Sequence, residues 1–325
     1  MTAYISRRLL LSIPTILIVA FLSFMLMRLQ PGNVVLAQLS SGGAAGGDAQ
    51  VDRAQLEELK KELGLEGSIP EQFVRWAGGV LQGDFGRSWL TERSTLDQFI
   101  ERAPLTIQLG IVAVGLSLLI GVPIGVISAA RNDTAIDYDG RTVAIAGLAV
   151  PNFFLGTLVV IFLSREFGWT SGAPTVEPPW EGLGEYFKRI FFPAFTLAFA
   201  SAGLTVRLVR ASLLEVLRQD YIRTARAKGL KESVVLVKHA LRNALVPVVT
   251  LIGAQLTFII AGSIVVEQLF NLRGLGLLTL TAIQQRDYVQ LQTNITILSF
   301  VIILGNLITD ISYGYLDPRI RQSYG

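Results

Sequence analysis

The chain has 325 residues but contains no cysteine and only one histidine, His239. The absence of cysteine excludes disulfide bonds, thiolate zinc sites and thiol chemistry. A single histidine excludes most metal sites that are built from imidazole groups. Charged residues are scarce as well, at 16% of the chain, against about 25% in ordinary soluble domains. Chemistry that depends on these side chains is therefore not expected in this chain.

The short motifs of common catalytic sites are also missing from the sequence. It contains no G-x-x-x-x-G-K-[ST] for nucleotide phosphates, no G-x-S-x-G and no H-E-x-x-H. His239 lies close to Lys238 and Arg242, which favours a role in a loop or an interface over catalysis. The chain is therefore predicted not to be an enzyme and to bind no cofactor or metal of its own.

Apolar residues make up 51% of the chain and give it a mean hydropathy of +0.51. A transmembrane helix needs about 20 mostly apolar residues, because its backbone must form all its hydrogen bonds internally. Six blocks qualify: residues 9–27, 105–130, 143–164, 190–206, 245–266 and 291–313. The fourth is the weakest, since Arg207 ends it early, and it is either short or part of a helix that continues into the cytoplasm. The predicted fold is an all-α integral membrane protein with six transmembrane helices.

The charged residues are unevenly distributed between these blocks. Residues 207–242 carry nine bases and three acids, whereas residues 30–102 carry eleven acids and seven bases. The positive-inside rule explains the basic loop more simply than nucleic-acid binding does, so no nucleic-acid partner is expected. It places both termini and the basic loop in the cytoplasm. The predicted regions are 1–29 (N-terminal cytoplasmic end and first span), 30–102 (extracytoplasmic cap), 103–313 (core with the other five spans and the basic loop) and 314–325 (cytoplasmic tail).

The cap is predicted to contain structure of its own. Its glycine-rich start, residues 42–47, is typical of a flexible segment, and leucines at helical spacing predict a helix over residues 52–63. Trp76 and Trp89 leave two alternatives, anchoring at the membrane interface or packing within the cap.

Four uncharged polar residues are candidates for a substrate pathway. Within an apolar span, such side chains either line a polar pathway or form hydrogen bonds between helices. The candidates are Asn152, Gln255, Ser263 and Asn294.

Glycine and proline residues in the second and third blocks predict where helices pack closely and where they bend. Gly121 and Gly125, four residues apart, permit close approach of another helix. Pro123 and Pro151 each remove a backbone donor and are predicted to kink their helices.

The most informative segment is Q-D-Y-I-R-T-A-R-A-K-G-L at residues 219–230, within the basic loop. It predicts a short helix that ends at Gly229. The small residues Ala225 and Ala227 are expected to let another surface approach, and the bases offer charge-assisted contacts to acidic groups of a partner. An amphipathic helix lying on anionic lipid is the alternative interpretation.

This segment resembles the cytoplasmic coupling loop of ABC importer permeases of the peptide/nickel group, which includes dipeptide and oligopeptide permease B subunits. The broader importer signature has Glu-Ala-Ala, three residues and Gly, where this chain has Arg223, Thr224, Ala225 and Gly229. Similar matches extend over nearly the whole chain. They include L-Q-P-G-N at residues 29–33, G-D-F-G-R-S at 83–88, P-N-F-F-L-G at 151–156, H-A-L-R-N-A at 239–244 and L-D-P-R-I-R at 316–321.

The resemblance implies a type I ABC importer permease in a bacterial or archaeal cytoplasmic (inner) membrane. Its partners would be a second homologous permease, two ATPase subunits that bind ATP and magnesium, and an extracytoplasmic substrate-binding protein. The ATPases would push on the coupling helix and tilt the spans. The resemblance assigns this coupling role to Asp220, Tyr221, Arg223, Thr224, Ala225, Arg226, Ala227, Lys228 and Gly229.

Di- and oligopeptides are the substrates that the resemblance implies first. Nickel or another small solute remains an alternative, because permeases of such relatives look alike. An ATP-independent multispan transporter, or a membrane enzyme or scaffold, is a further alternative. The former would show internal inverted repeats and the latter a catalytic pair on facing spans, and neither is visible in the sequence.

Overall fold

The computed structural model describes residues 2–28, 67–169 and 182–316, and these ranges are almost entirely helical. The long helices are α1 (Thr2–Arg28), α3 (Thr95–Ala130), α6 (Leu183–Leu217), α10 (Val246–Leu269) and α12 (Tyr288–Leu316). The shorter ones are α2 (Ile69–Leu81), α4 (Ala135–Ala149), α5 (Asn152–Phe167), α7 (Asp220–Ala227), α8 (Glu232–Val234), α9 (Leu241–Ala244) and α11 (Leu275–Gln284). A π-helical turn, Val235–Ala240, joins α8 to α9.

The apolar blocks of the sequence form helices, as predicted. By length and composition, four described helices can each cross a membrane, and up to six spans result if each of two bent helix pairs is one span. The prediction of six is the upper end of this range. The helix predicted over residues 52–63 lies outside the described residues.

The first of two compact units contains the described residues in 2–28, 67–103 and 278–308. In it α1 packs on α2 through an aromatic cluster. The ring of Phe24 lies 5.3 Å from that of Phe73 and 5.6 Å from that of Trp76. Trp76 therefore packs against the chain's own aromatic side chains, which is the second of the two alternatives given for it.

The second unit contains the described residues in 104–169, 182–277 and 309–316. The 35-residue helix α6 is central to it and packs against α4, α5 and α10. Buried residues of α6, including Leu197 and Leu213, belong to two separate apolar clusters. The helix continues through Arg207 and Arg210 to Leu217, which confirms that the fourth apolar block is part of a longer helix.

Gly121 and Gly125 bring α3 close to α6 within the same chain. A Cβ atom at Gly125 would lie 2.9 Å from the backbone oxygen of Val206, and one at Gly121 would lie 3.1 Å from that of Ala202. Close packing through these glycines was predicted, and the structure identifies the neighbouring helix as α6.

The third predicted span, residues 143–164, is not one straight helix. Helices α4 and α5 meet at an angle of 98° at Pro151. Val150 is extended, with φ −83° and ψ 118°, because the proline ring disfavours helical geometry in the residue before it. The kink at Pro151 was predicted, and the bend is large enough to divide this segment into two helices. At Pro123, in contrast, α3 remains one helix.

The start of α4 is fixed to α6 by a buried carboxylate. Asp137 is fully buried and accepts hydrogen bonds from Arg210 Nε at 2.6 Å and from Arg141 Nη2 at 2.5 Å. It also accepts from the hydroxyl of Ser128 and from the backbone N–H of Asp133. The polar segment between the second and third apolar blocks, residues 131–141, is therefore partly helical, since α4 begins at Ala135.

Candidate functional site

The predicted coupling segment forms helix α7, separated from the end of α6 by Arg218 and Gln219. Its residues divide into an inner and an outer face. Ile222 is fully buried and Ala225 is 7% exposed, and these positions lie three residues apart, on one side of the helix. The short helix predicted from the sequence is confirmed.

Helix α7 ends in a tight, fully hydrogen-bonded turn. Gly229 has φ +77°, a left-handed conformation that costs glycine little. Its N–H donates to the oxygen of Arg226 at 2.9 Å, and the N–H of Leu230 donates to that of Ala225 at 3.4 Å. This pair of bonds is a Schellman motif, which satisfies carbonyl groups at a helix end. The predicted glycine stop is therefore confirmed.

The inner face of α7 is held in an apolar cluster of the second unit. Ile222 and Ala225 pack there with residues including Leu213, Val235 and Ala244. In addition, Asn243 Nδ2 donates a 2.8 Å hydrogen bond to the hydroxyl of Tyr221. A force applied to α7 therefore acts directly on α6 and on the helices that follow α7.

The outer face of α7 is polar and carries charges of both signs. Arg226 donates to Glu232 through Nη2 at 2.6 Å and through Nε at 3.0 Å, in a two-pronged ion pair. The hydrogen bond from Arg226 lowers the pKa of the Glu232 carboxyl, so the pair is charged at neutral pH. The stabilisation that this pair gives the folded protein is complete at pH values above the ordinary pKa of a Glu side chain. It is lost as the pH falls below that value and Glu232 becomes protonated. Both side chains are partly exposed, so this contribution is small.

Most of the residues assigned to coupling are exposed and available to a partner. These are Asp220, Tyr221, Arg223, Thr224, Arg226, Ala227, Lys228 and Gly229. Ala225 differs from the expectation, because its side chain packs inward on the chain's own cluster. Its small size lets α7 approach its own protein rather than a partner.

Three of the four candidate pathway residues form hydrogen bonds inside the chain. Gln255 Nε2 donates to the Ser201 carbonyl at 3.1 Å and to Thr205 Oγ1 at 2.9 Å, which links α10 to α6. Asn294 Nδ2 donates to Thr279 Oγ1 at 3.1 Å, and Ser263 bonds Glu267. All three are buried, whereas Asn152 is half-buried at the start of α5. Gln255 and Asn294 therefore form hydrogen bonds between helices, which is one of the two roles considered for polar residues in the spans.

Sequence reasoning missed the residues that support α7 from behind. The inner face could have been predicted from Ile222, because it is the one large aliphatic residue in an otherwise polar helix. Glu232 and Asn243 gave no comparable signal, because their partners lie six and 22 residues away across turns. No group of three or more His, Cys, Asp or Glu residues in the described ranges could hold a metal ion.

Two family models match the chain. One, described as "Binding-protein-dependent transport system inner membrane component", covers residues 121–322. The other, described as the N-terminal part of a binding-protein-dependent transport system membrane component, covers residues 1–110. Together they cover all or most of every described helix, with residues 111–120 of α3 between the two matches.

Curated relatives match along their whole length. The oligopeptide transport system permease protein AppB of Bacillus subtilis is 41% identical over 325 residues, which cover 99% of this chain and 100% of the relative. The glutathione transport system permease protein GsiC of Pectobacterium atrosepticum is 39% identical over 323 residues, or 99% of each chain.

Solved structures show the same fold at lower identity. An inward-facing form of the MetNI methionine ABC transporter matches with a TM-score of 0.56 and 17% identity, over 68% of this chain and 96% of that one. The resemblance to ABC importer permeases is thereby confirmed. The chain belongs to the family of binding-protein-dependent transport system inner membrane components and is a permease subunit of an ABC importer.

Proposed function

We propose that this permease moves di- or oligopeptides across the cytoplasmic membrane of a bacterium or archaeon. The relatives named for oligopeptide and glutathione transport support a short peptide as the solute, since glutathione is itself a small peptide-like molecule. Nickel or another small solute is the second candidate. Co-purification of the tagged chain from its native cell, followed by uptake assays on the recovered complex, distinguishes these solutes.

The chain pairs with a second homologous permease, and the two line one translocation pathway. It has six spans and both termini in the cytoplasm, with the two bent helix pairs each forming one span. Residues 1–29 form the N-terminal cytoplasmic end and the first span, 30–102 the extracytoplasmic cap, 103–313 the permease core and 314–325 the cytoplasmic tail. A substrate-binding protein delivers the solute on the outer side.

ATP and magnesium bind to two ATPase subunits, and this chain contributes the surface on which one of them docks. The observation that carries this proposal is the two-sided character of α7. Its outer face is polar and exposed, while its inner face is locked to α6 through Ile222, and Tyr221 ties it to α9 by a hydrogen bond with Asn243. Movement of a docked ATPase therefore tilts the helices behind α7 as a rigid body.

Substitution of Gly229 tests the coupling role of α7. A Cβ atom at this position meets no other atom within 4 Å, so a side chain fits without a clash. Asp and Asn have the same shape and both tolerate a left-handed backbone. Gly229→Asp adds a negative charge to the docking face, whereas Gly229→Asn does not. We expect Gly229→Asp to reduce ATP-driven uptake by about tenfold or more and Gly229→Asn to keep most of it.

The measurement is solute uptake and solute-stimulated ATP hydrolysis by the whole complex in proteoliposomes. Normal uptake together with normal ATPase stimulation in Gly229→Asp would contradict the docking role of α7. Uptake by this chain without any ATPase would instead indicate an ATP-independent transporter.

A further inference from the structure

A cavity of about 760 Å³ lies in the first unit, far in sequence from the coupling helix. It is enclosed by the end of α1, by α2, by residues 84–92 and by the start of α12. Cavities that hold small ligands typically measure roughly 300–1,000 Å³. The volume is therefore sufficient for a small organic molecule.

Gln292 of α12 lines this cavity and carries a buried N–H donor that has no acceptor among the described residues. Its side chain is 6% exposed, and its Nε2 has no hydrogen-bond partner in the part of the chain that the structure describes. A buried N–H group that is left without an acceptor is unfavourable, and most such groups in proteins are satisfied. A ligand with an acceptor oxygen would satisfy it.

Arg28 contributes a fixed positive charge to the same cavity. Its Nε donates to Gln72 Oε1 at 2.8 Å, and its Nη1 donates to the carbonyl of Phe24 at 3.2 Å. The guanidinium carbon lies 3.4 Å from the centre of the Phe24 ring. Gln72 is held in turn by a 3.0 Å bond to the carbonyl of Gly67. The guanidinium is therefore oriented before any ligand arrives.

The charge of Arg28 is not neutralised within the described residues, where it forms no ion pair. An arginine guanidinium is not deprotonated in proteins, so the group is charged at neutral pH. Arg75 and Arg87 also line the cavity, against two acids, Asp84 and Glu92. The lining therefore carries one more positive than negative charge, which favours an anionic ligand. The N–H donor of Gln292 favours such a ligand as well.

Two indole rings, those of Trp76 and Trp89, complete the lining. Such rings offer flat apolar surface to a ligand while their N–H groups remain available as donors. The cavity thus combines anion-binding donors with an aromatic surface.

We propose that this cavity binds a small ligand with an oxyanion group, such as a carboxylate, next to an apolar or aromatic group. The oxyanion accepts hydrogen bonds from Gln292 Nε2 and from the guanidinium of Arg28. The apolar group packs against the indole rings. This site is separate from helix α7, and its existence does not depend on the transported solute or on ATP.

The test is isothermal titration calorimetry on the full chain in lipid nanodiscs, with any subunits that it retains. The probes are N-acetylphenylalanine, its neutral amide and inorganic phosphate. We expect the acid to bind at least about tenfold more tightly than the amide, the size of effect given by one lost charged hydrogen bond. Gln292→Leu, which removes the donor, and Gln292→Glu, which adds a negative charge, should each weaken binding of the acid by about tenfold or more.

Gln285→Leu is the matched control, because Gln285 is exposed and does not line the cavity. It should bind the acid like the unchanged protein, and each variant should unfold at a similar temperature. Displacement of the acid by phosphate at equal or lower concentration would support the oxyanion site with phosphate as its ligand. Equal binding of acid and amide, no binding of any probe, or unchanged binding in both Gln292 variants would overturn the proposal.

Discussion

At the scale of single residues, the Asp137 carboxylate is the centre of a buried network of ion pairs and hydrogen bonds. It is fully buried, and two arginines and a serine bond it at the same time. Removing one partner of a buried ion pair costs more than the pair contributes, because it leaves an uncompensated charge. The stability of the contact between α4 and α6 therefore depends on this one side chain.

Asp137→Asn is expected to destabilise the protein by about 3 kcal/mol, since Arg141 and Arg210 lose their shared counter-ion. Asp139→Asn is the matched control, because Asp139 lies in the same helix and is exposed. Its effect should remain within about 0.5 kcal/mol. Thermal unfolding in detergent micelles measures both, and equal midpoints for the two variants would contradict this assignment of the network.

At the scale of helices, the packing of α3 on α6 depends on the absence of side chains at two positions of α3. At Gly125 the obstacles are Val209 Cβ at 2.8 Å and the backbone oxygen of Val206 at 2.9 Å, neither of which can move without shifting α6 itself. Glycine normally weakens a helix by roughly 1 kcal/mol relative to alanine. Here the contact between helices outweighs that local preference.

Gly125→Ala should therefore destabilise the protein by about 1–3 kcal/mol, as extra atoms in packed interiors do. Gly115→Ala, in the same helix, should be neutral or stabilising, because a Cβ atom there meets nothing within 4 Å. The comparison of their unfolding temperatures in one detergent isolates the contact from helix propensity. A lower midpoint for Gly115→Ala than for Gly125→Ala would contradict the close approach.

At the scale of the whole molecule, the absence of cysteine makes the proposed topology directly testable. A single cysteine introduced at an exposed position is the only thiol in the chain. Thr224 on α7 and Gln82 after α2 are both exposed. We expect an impermeant maleimide added to intact cells to label Gln82→Cys at least about tenfold more than Thr224→Cys, because thiolate reactivity requires access to the reagent. In inside-out vesicles the order should reverse, and the same order in both preparations would contradict the topology.

Features that depend on neighbouring residues could be predicted from the sequence. The glycine stop at Gly229 and the break at Pro151 follow from backbone rules for these two residue types. Features that depend on distant residues could not. The inward direction of Ala225 depends on a cluster to which α3, α6, α9 and the π-helical turn all contribute. The cavity is lined by both Arg28 and Gln292, which are 264 positions apart in the sequence. The hydropathy pattern also predicted the third span as one block. A bend of 98° changes the direction of the chain but leaves its apolar composition unchanged, so hydropathy does not detect it.

The length of α6 determines where the coupling helix stands relative to the lipid. At 1.5 Å per residue, its 35 residues extend over roughly 50 Å, whereas the hydrocarbon core of a bilayer is about 30 Å thick. The part from Arg207 to Leu217 alone accounts for roughly 16 Å of this length. In the proposed topology, helix α7 therefore lies beyond the lipid headgroups. An ATPase subunit that docks there would need no affinity for lipid.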